Sequence, residues 1–325
     1  MNRITNLLGS VAVTFFASIS VASAQDLIVG TGVDPTFSPL FVAQEAGLFS
    51  KHGVNVRIQA FSSGSAAVDP IITGEVNVAM TGPARPLLVH ARAPKVVMVA
   101  QFVTQQGYTD LIGHKSIPNV QALRGRRVGY ELGTTTEVFA LDVLAQYNMT
   151  QRDITHRNVQ PPEALAALQN KNLDAVFSFK PWSDRAIAAM PNDLHLIPGA
   201  EKFFSHLHIF ADKEWLERTP RNMESMVKFL AAIREATGMI AANKDQAAAL
   251  VAKHLRMETK ATRPLLDLNA YTLVFNQSSM DLLKREVDFQ IRSGRIQPNF
   301  AYAPFVFTEP LRRLDASLVN YQLPK

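Results

Sequence analysis

The chain has 325 residues, more than one hydrophobic core usually serves, so we expect two lobes of ordinary domain size. Hydrophobic residues make up 47% of it and charged residues 19%, a balance typical of a folded protein. The net charge of +5 is small and its basic residues are scattered, which argues against nucleic-acid binding. Because cysteine is absent, disulfides, thiolate nucleophiles, cysteine-ligated metals and lipid attachment through cysteine are excluded.

The N-terminal segment differs from the rest of the chain. Arg3 gives it a positive start, residues 7–21 form an apolar run, and Ala22-Ser23-Ala24 supplies the small residues that a signal peptidase accepts. Polar residues interrupt the run, which falls short of the roughly 20 strongly apolar residues of a membrane span. We therefore predict a signal peptide over residues 1–24 and a mature protein that is exported to the periplasm without a membrane span of its own.

Strand and helix patterns alternate through the first part of the mature chain. Apolar or alternating runs predict strands at 27–31, 54–58, 76–80 and 96–103, with helical patterns at 39–46 and 66–72. This spacing is typical of right-handed βαβ units. We therefore predict an α/β protein with a parallel sheet.

The pattern restarts after a polar connector at 115–119. Strands are predicted at 127–130, 155–159, 174–177, 194–197 and 207–210, and helices at 136–146, 163–169, 223–242, 245–254 and 280–293, the last ended by Gly294. We interpret the second unit as an insertion, which the chain enters near Ile112 and leaves near Phe210. The predicted division is 25–112 and 210–325 for lobe 1 and 113–209 for lobe 2, with two hinge crossings.

Small residues cap helices at three strand-to-helix junctions. The junctions contain Ser38-Pro39, Ser63-Gly64 and Gly133-Thr134-Thr135, and Thr134 and Glu137 have the spacing of a capping box. Such turns leave backbone N–H groups that suit an anion, although most of them only cap helices. Since strand ends and the helix starts that follow them face one cleft, we expect these turns and Thr81-Gly82 to meet there.

Cationic and aromatic side chains lie near the same junctions. Arg85 and Lys180 would each place a cation at the cleft, or else lie solvated on the surface. Phe37 and Trp182 would enclose an apolar part of a ligand, whereas Phe177 is expected in the core.

His206 and His208 share one face of a predicted strand, so either of them could donate to a ligand. A metal needs more ligands than these two residues supply. The sequence also contains no HExxH motif, phosphate-binding loop or Gly-x-Ser-x-Gly. We predict no metal, no cofactor and no nucleotide hydrolysis.

Two stretches resemble a known family. They are residues 35–84, PTFSPLFVAQEAGLFSKHGVNVRIQAFSSGSAAVDPIITGEVNVAMTGPA, and residues 122–149, ALRGRRVGYELGTTTEVFALDVLAQYNM. Both are similar to the nitrate/sulfonate/taurine/thiamine-precursor-binding group of ABC-transporter substrate-binding proteins, with weaker similarity through residue 215. The resemblance implies a two-lobed α/β fold of the periplasmic-binding-protein type II, or Venus-flytrap, kind with two hinge crossings.

The resemblance also implies a ligand site. The matching positions are Phe37, Ser38, Ser63, Gly64, Thr81, Gly82, Gly133, Thr134, Thr135 and Trp182, to which we add Lys180 and His208. Family members often carry a glutamate two residues before the hinge-side aromatic, where this sequence has Lys180. That difference favours an aliphatic sulfonate or a carboxylate without an amine over a zwitterion.

The function implied is that of a monomeric extracytoplasmic solute-binding protein rather than an enzyme. It would bind a small organic anion and deliver it to a membrane permease that works with a cytoplasmic ATPase, docking on the permease peripherally. Binding of a pyrimidine thiamine precursor is the alternative, because Phe37 and Trp182 could stack on its ring. A sensory receptor that does not transport is a further rival, and so is a pyrimidine synthase, which would need catalytic histidine and usually cysteine.

Overall fold

The computed structural model describes residues 27–201 and 203–324, so the predicted signal peptide lies outside the described residues. The strands are β1 Leu27–Thr31, β2 Val56–Ala60, β3 Val78–Thr81, β4 Val96–Gln106, β5 Thr109–His114, β6 Arg127–Tyr130, β7 Thr155–Asn158, β8 Ala175–Phe179, β9 Leu194–Leu196, β10 Phe204–Asp212, β11 Asn269–Asn276 and β12 Val319–Asn320. The helices are α1 Ser38–Glu45, α2 Leu48–Lys51, α3 Asp69–Thr73, α4 Ala84–His90, α5 Thr135–Gln146, α6 Pro161–Gln169, α7 Trp182–Ala189, α8 Lys213–Arg218, α9 Pro220–Ala242, α10 Lys244–Leu255, α11 Thr259–Asp267, α12 Gln277–Arg292, α13 Tyr302–Phe305 and α14 Glu309–Leu314.

The strands form two sheets, one in each lobe. Lobe 1 has the order β12-β11-β4-β10-β3-β1-β2, and lobe 2 has the order β7-β6-β8-β5-β9. β1 runs parallel to β2 and β3, and β6 runs parallel to β7 and β8, as the βαβ spacing predicts. The predicted parallel sheet describes only part of each sheet, however. β10 is antiparallel to both β3 and β4, and β5 is antiparallel to β8 and β9, because these are the strands next to the passages between the lobes.

The chain passes between the two sheets twice, at residues 107–108 and again between β9 and β10. The sequence pattern predicts these passages near Ile112 and Phe210. Ile112 instead pairs with Val176 inside the second sheet, and Phe210 pairs with Ala79 inside the first. Turn residues do mark both passages, Gly107 with φ of +70° at the first and Gly199 with φ of +102° at the second, and they are the local signal for the change of sheet.

Separate hydrophobic cores support the two lobes. In lobe 1, α9 begins at the N-cap Thr219 and buries Met226, Phe229 and Ile233 on one face, at helical spacing. In lobe 2, Phe177 is buried against Phe139, so its predicted place in the core is confirmed. Among the residues described, none of the helices is both long and apolar enough to cross a membrane.

Candidate ligand-binding site

A cavity of about 60 Å³ lies between the lobes. One water molecule needs roughly 10–15 Å³ in this measure, so the cavity suits a small ligand. Lobe 1 lines it with Asp34, Thr36, Phe37, Ser63, Gly64, Ser65, Thr81, Gly82, Gln105 and Leu207. The hinge and lobe 2 line it with Tyr108, Thr109, Glu131, Thr134, Thr135, Thr136 and Phe179. The capped junctions around Ser63 and Thr134 therefore share one crevice.

The loop after β1 places a carboxylate in the cavity. Asp34 Oδ1 accepts the Thr36 backbone N–H at 2.9 Å and the Tyr108 hydroxyl at 2.8 Å. Burial raises the pKa of Asp34, although these hydrogen bonds oppose the rise. Burial, reinforced by the nearby Asp34 charge, also raises the pKa of Tyr108 well above 10, so this hydroxyl stays a donor.

A second carboxylate, that of Glu131, enters the cavity from lobe 2. Ser63 of lobe 1 donates its hydroxyl to Glu131 Oε1 at 3.2 Å, which joins the lobes across the cleft. Burial raises the pKa of Glu131, and the Ser63 hydrogen bond and Arg85 oppose this rise. Among the described residues, no lysine, arginine or histidine lines the cavity. The side chains of the lining that can carry charge near neutral pH are therefore the two carboxyl groups.

Hydroxyl groups make up much of the remaining polar surface. Thr134 caps α5 by accepting the Thr136 N–H at 3.2 Å, and it donates its own hydroxyl to the Glu131 carbonyl at 2.6 Å. The Ser65 and Thr81 hydroxyl oxygens lie 3.3 Å apart. Gly64 is required between them because a Cβ atom there would lie 2.6 Å from the Met80 carbonyl oxygen.

The capping box predicted for α5 does not form, because the Glu137 side chain binds a different backbone N–H. Glu137 accepts the Gly133 N–H at 2.6 Å instead of the Thr134 N–H. Gly133 has φ of +73°, and this left-handed turn directs its N–H towards the Glu137 carboxylate. Gly133 therefore supports the loop from behind and does not line the cavity.

Ser38, Trp182 and His208, which the sequence placed in the site, also lie away from the cavity. Ser38 is fully buried, donates to the Pro35 carbonyl at 2.6 Å and accepts the Tyr271 hydroxyl. Trp182 begins α7 and packs under the Arg185 guanidinium. His208 is fully buried in the first sheet, and burial holds its pKa well below 6.5, so it is neutral.

The two candidate cations are committed to carboxylates elsewhere. Lys180 Nζ lies 3.0 Å from Asp110 and 2.7 Å from Asp184, and these partners raise the pKa of Lys180 in spite of burial. Arg85 pairs with Asp69 of lobe 1 and also faces the Gly133 loop of lobe 2, where a Cβ atom on Gly133 would lie 3.5 Å from Arg85 Nη1. Neither lines the cavity.

Sequence reasoning did not assign to the site the acids Asp34 and Glu131, the hinge residue Tyr108, or five further polar lining residues: Thr36, Ser65, Gln105, Thr109 and Thr136. A usable signal was present for the two carboxylates, since each follows a buried strand within a few residues, at the edge where the predicted turns meet. Tyr108 carried no local signal.

Comparison with known proteins identifies the family. Residues 34–247 match the model of the family described as "NMT1/THI5 like", which is more than half of the chain. The chain belongs to the NMT1/THI5-like family.

Relatives of this NMT1/THI5-like protein include binding proteins and an enzyme. It is 24% identical over 260 residues to a binding protein of Brucella abortus, covering 79% of this chain and 80% of that one. It is 26% identical over 181 residues to the taurine-binding periplasmic protein of Escherichia coli, covering 55% of each. It is also 24% identical over 226 residues to 4-amino-5-hydroxymethyl-2-methylpyrimidine phosphate synthase THI11 of Saccharomyces cerevisiae, covering 64% of each.

Solved structures confirm the two-lobed fold of this NMT1/THI5-like protein. The nitrate-binding protein NrtA from Synechocystis superposes with a TM-score of 0.74 at 12% identity, covering 91% of this chain and 89% of that one. The alkanesulfonate-binding protein SsuA from Xanthomonas axonopodis, bound to MOPS, superposes with a TM-score of 0.73 at 16% identity, covering 87% and 98%. The predicted periplasmic-binding-protein fold is therefore confirmed.

Proposed function

We propose that this protein is the extracytoplasmic solute-binding component of an ABC importer, acting as a monomer in the periplasm. One observation carries the proposal: the cavity that holds the capped turns has walls from both lobes, and Ser63 of lobe 1 contacts Glu131 of lobe 2 across it. A solute that touches both walls does so only when the lobes are closed, so it shifts the population towards the closed form. The closed form would dock on the membrane permease, whose cytoplasmic ATPase drives uptake.

The charges in the cavity change the solute that we favour. The amine-free sulfonate or carboxylate expected from Lys180 would meet Asp34 and Glu131 without a cationic partner from the cavity lining. A zwitterion suits this lining better. Its ammonium would face Glu131 and Asp34, and its oxyanion would meet the hydroxyls and N–H groups at the start of α5. We therefore propose a small amino sulfonate or amino carboxylate as the ligand.

A pyrimidine of the thiamine-precursor type is the second candidate. Phe37 and Phe179 both line the cavity, and Phe179 takes the role that the sequence predicts for Trp182. Their rings would contact the faces of a heterocycle, and an exocyclic amino group would donate to a carboxylate.

Isothermal titration of the chain without residues 1–24 separates these ligands. Taurine and ethanesulfonate share the anionic group and differ by the amine, so we expect taurine to bind at least about tenfold more tightly. Glu131→Gln should remove most of that difference, whereas Glu217→Gln, an exposed residue of α8, should leave it intact. Equal affinity for the two sulfonates would contradict the amine contact. Binding of 4-amino-5-hydroxymethyl-2-methylpyrimidine alone would favour the second candidate.

Transport is tested separately from binding. Deleting the gene in its source cell should abolish uptake of the radiolabelled ligand, and the wild-type gene should restore uptake. A deletion strain with unchanged uptake but an altered transcriptional response to the ligand would favour a sensory receptor.

A further inference from the structure

A partly buried ion pair joins the lobes beside the cavity. Glu137 lies in the first turn of α5 in lobe 2 and is 1% exposed, and Arg295 follows α12 in lobe 1. The guanidinium donates through both terminal nitrogens, one to each carboxylate oxygen of Glu137. Such paired donation is the strongest arrangement of an arginine and a carboxylate, and it fixes their relative orientation. The contact spans 158 positions of the sequence and lies outside the cavity lining.

The end of α12 holds Arg295 rigidly. Gly294 has φ of +69°, and its N–H donates to the Ile291 carbonyl at 2.9 Å. The Arg295 N–H donates to the Gln290 carbonyl at 3.0 Å, which completes a Schellman turn. This turn confirms Gly294 as the residue that ends the helix. Because the backbone of Arg295 is fixed to lobe 1, its guanidinium moves with lobe 1. Glu137 can therefore bind it only when lobe 2 lies close to lobe 1.

Glu137 in turn holds the loop that lines the cavity. The oxygen Oε2 that binds Arg295 also accepts the Gly133 N–H at 2.6 Å. Gly133 directly precedes Thr134, Thr135 and Thr136, all of which line the cavity. One carboxylate therefore connects the opposite lobe to the start of α5.

We propose that Arg295 is a positioning residue that latches the lobes and orders the Gly133–Thr136 loop through Glu137. Opening the lobes separates the pair and exchanges a bidentate contact for water on both groups. The ion pair therefore stabilises the closed form before any solute is present. The residues of the Gly133–Thr136 loop that would contact the solute are then already ordered. This inference rests on the proposed opening and closing of the lobes, although it does not depend on which solute binds.

Double electron–electron resonance on the ligand-free protein tests the latch. Since the chain has no cysteine, Ser50→Cys in lobe 1 and Gln169→Cys in lobe 2 introduce two unique labelling sites at exposed positions. We expect Arg295→Met to lower the ratio of short to long interlobe distances at least about tenfold. Arg295→Lys, which keeps the charge but loses the paired donation, should lie between this variant and the wild type.

Two further variants control this measurement. Arg234→Met breaks an ion pair with Asp315 inside lobe 1, so the distance distribution should match that of the wild type. Glu137→Gln removes the charge but keeps an oxygen that can accept the Gly133 N–H. It should therefore also shift the lobes towards the open form, and it serves as the test if Arg295→Met does not fold. Adding Arg295→Met to Glu137→Gln should then open them no further, as expected for one shared contact.

Hydrogen exchange of the peptide covering residues 131–136 reports the positioning role. Arg295→Met should accelerate exchange there by at least about tenfold, while exchange in β8 stays unchanged. The proposal is overturned if Arg295→Met and Glu137→Gln leave both the interlobe distances and this exchange as in the wild type. All these measurements are made without ligand, so a failure to bind taurine would affect only the proposed function.

Discussion

Gly82 of lobe 1 lies directly against Thr135 of lobe 2: a Cβ atom on Gly82 would lie 2.3 Å from Thr135 Oγ1. Real Cβ contacts essentially never fall below 3.0 Å, so any larger residue at position 82 requires a shift. With glycine at position 82, the two lobes approach this closely without any change in the Thr135 side chain.

We expect Gly82→Ala to weaken ligand binding by roughly tenfold or more, because the methyl group holds the lobes apart. Adding Thr135→Ala should restore part of the affinity by removing the hydroxyl that clashes. Gly238→Ala is the control, since a Cβ atom there has nothing within 4 Å; it should leave affinity unchanged and stabilise α9 by about 0.5–1 kcal/mol. Wild-type affinity in Gly82→Ala would show that this contact does not limit closure.

Two threonine residues that cap helical turns allow an effect on stability to be distinguished from an effect on ligand affinity. Thr134 caps α5 at the cavity, and Thr150 caps a 3₁₀ turn in the same lobe away from it. Each change to alanine should cost about 1 kcal/mol in the free energy of unfolding. Only Thr134→Ala should also lower ligand affinity, as titration calorimetry would measure. Equal affinities in the two variants would remove Thr134 from the site.

The sequence predicts that Lys180 and Trp182 bind the ligand, whereas their positions in the structure predict that neither affects ligand affinity. Lys180→Met leaves Asp110, whose side chain is 12% exposed, with Ser183 as its remaining polar partner, so we expect a loss of about 1–3 kcal/mol of stability. Ligand affinity should not change in Lys180→Met or in Trp182→Ala, because neither residue lines the cavity. Urea unfolding and calorimetry test this, and a tenfold loss of affinity in either variant would return that residue to the site.

The pH dependence of stability should contain a contribution from Glu286. Burial raises the pKa of this carboxyl from 4.5 to about 7, against the Gln290 hydrogen bond and the Arg295 charge. The folded state therefore binds more protons than the unfolded state between these values, and unfolding becomes easier as the pH rises through that window. The total effect is roughly 3 kcal/mol.

Glu286→Gln should remove this dependence, because the amide does not titrate. We expect the melting temperature of the wild type, relative to that of the variant, to fall between pH 5 and pH 8. Parallel melting curves for the two proteins across this range would mean that the carboxyl titrates normally.

Much of the fold could be predicted because hydrophobic periodicity reports burial directly. The predicted helix at 223–242 lies within α9, and the predicted strand at 27–31 is β1. The direction of β10 could not be predicted in this way. A strand buried on both faces has the same pattern whether its neighbours run parallel or antiparallel to it.

The site was predicted in part for a similar reason. Cap chemistry is local, so it indicated the turns at Ser63 and Thr134, which do share the cavity. Which side chain of a turn points into the cavity depends on partners that are distant in sequence. Tyr271 holds Ser38 away from the cavity, and Asp110 does the same for Lys180. The partners Tyr271 and Asp110 lie 233 and 70 positions away in the sequence, so a local window shows only the near partners Pro35 and Asp184.

The position of β10 in the first sheet constrains the order in which the protein folds. β10 lies between β3 and β4 and follows the whole of lobe 2 in the chain. A nascent chain that ends before residue 204 therefore has two sheet edges with unsatisfied backbone groups, which invite pairing with other chains. Lobe 2 is continuous in sequence and needs no later segment to complete its sheet, so it is the part able to fold first. Until β10 is available, lobe 1 depends on other factors to keep those edges from aggregating.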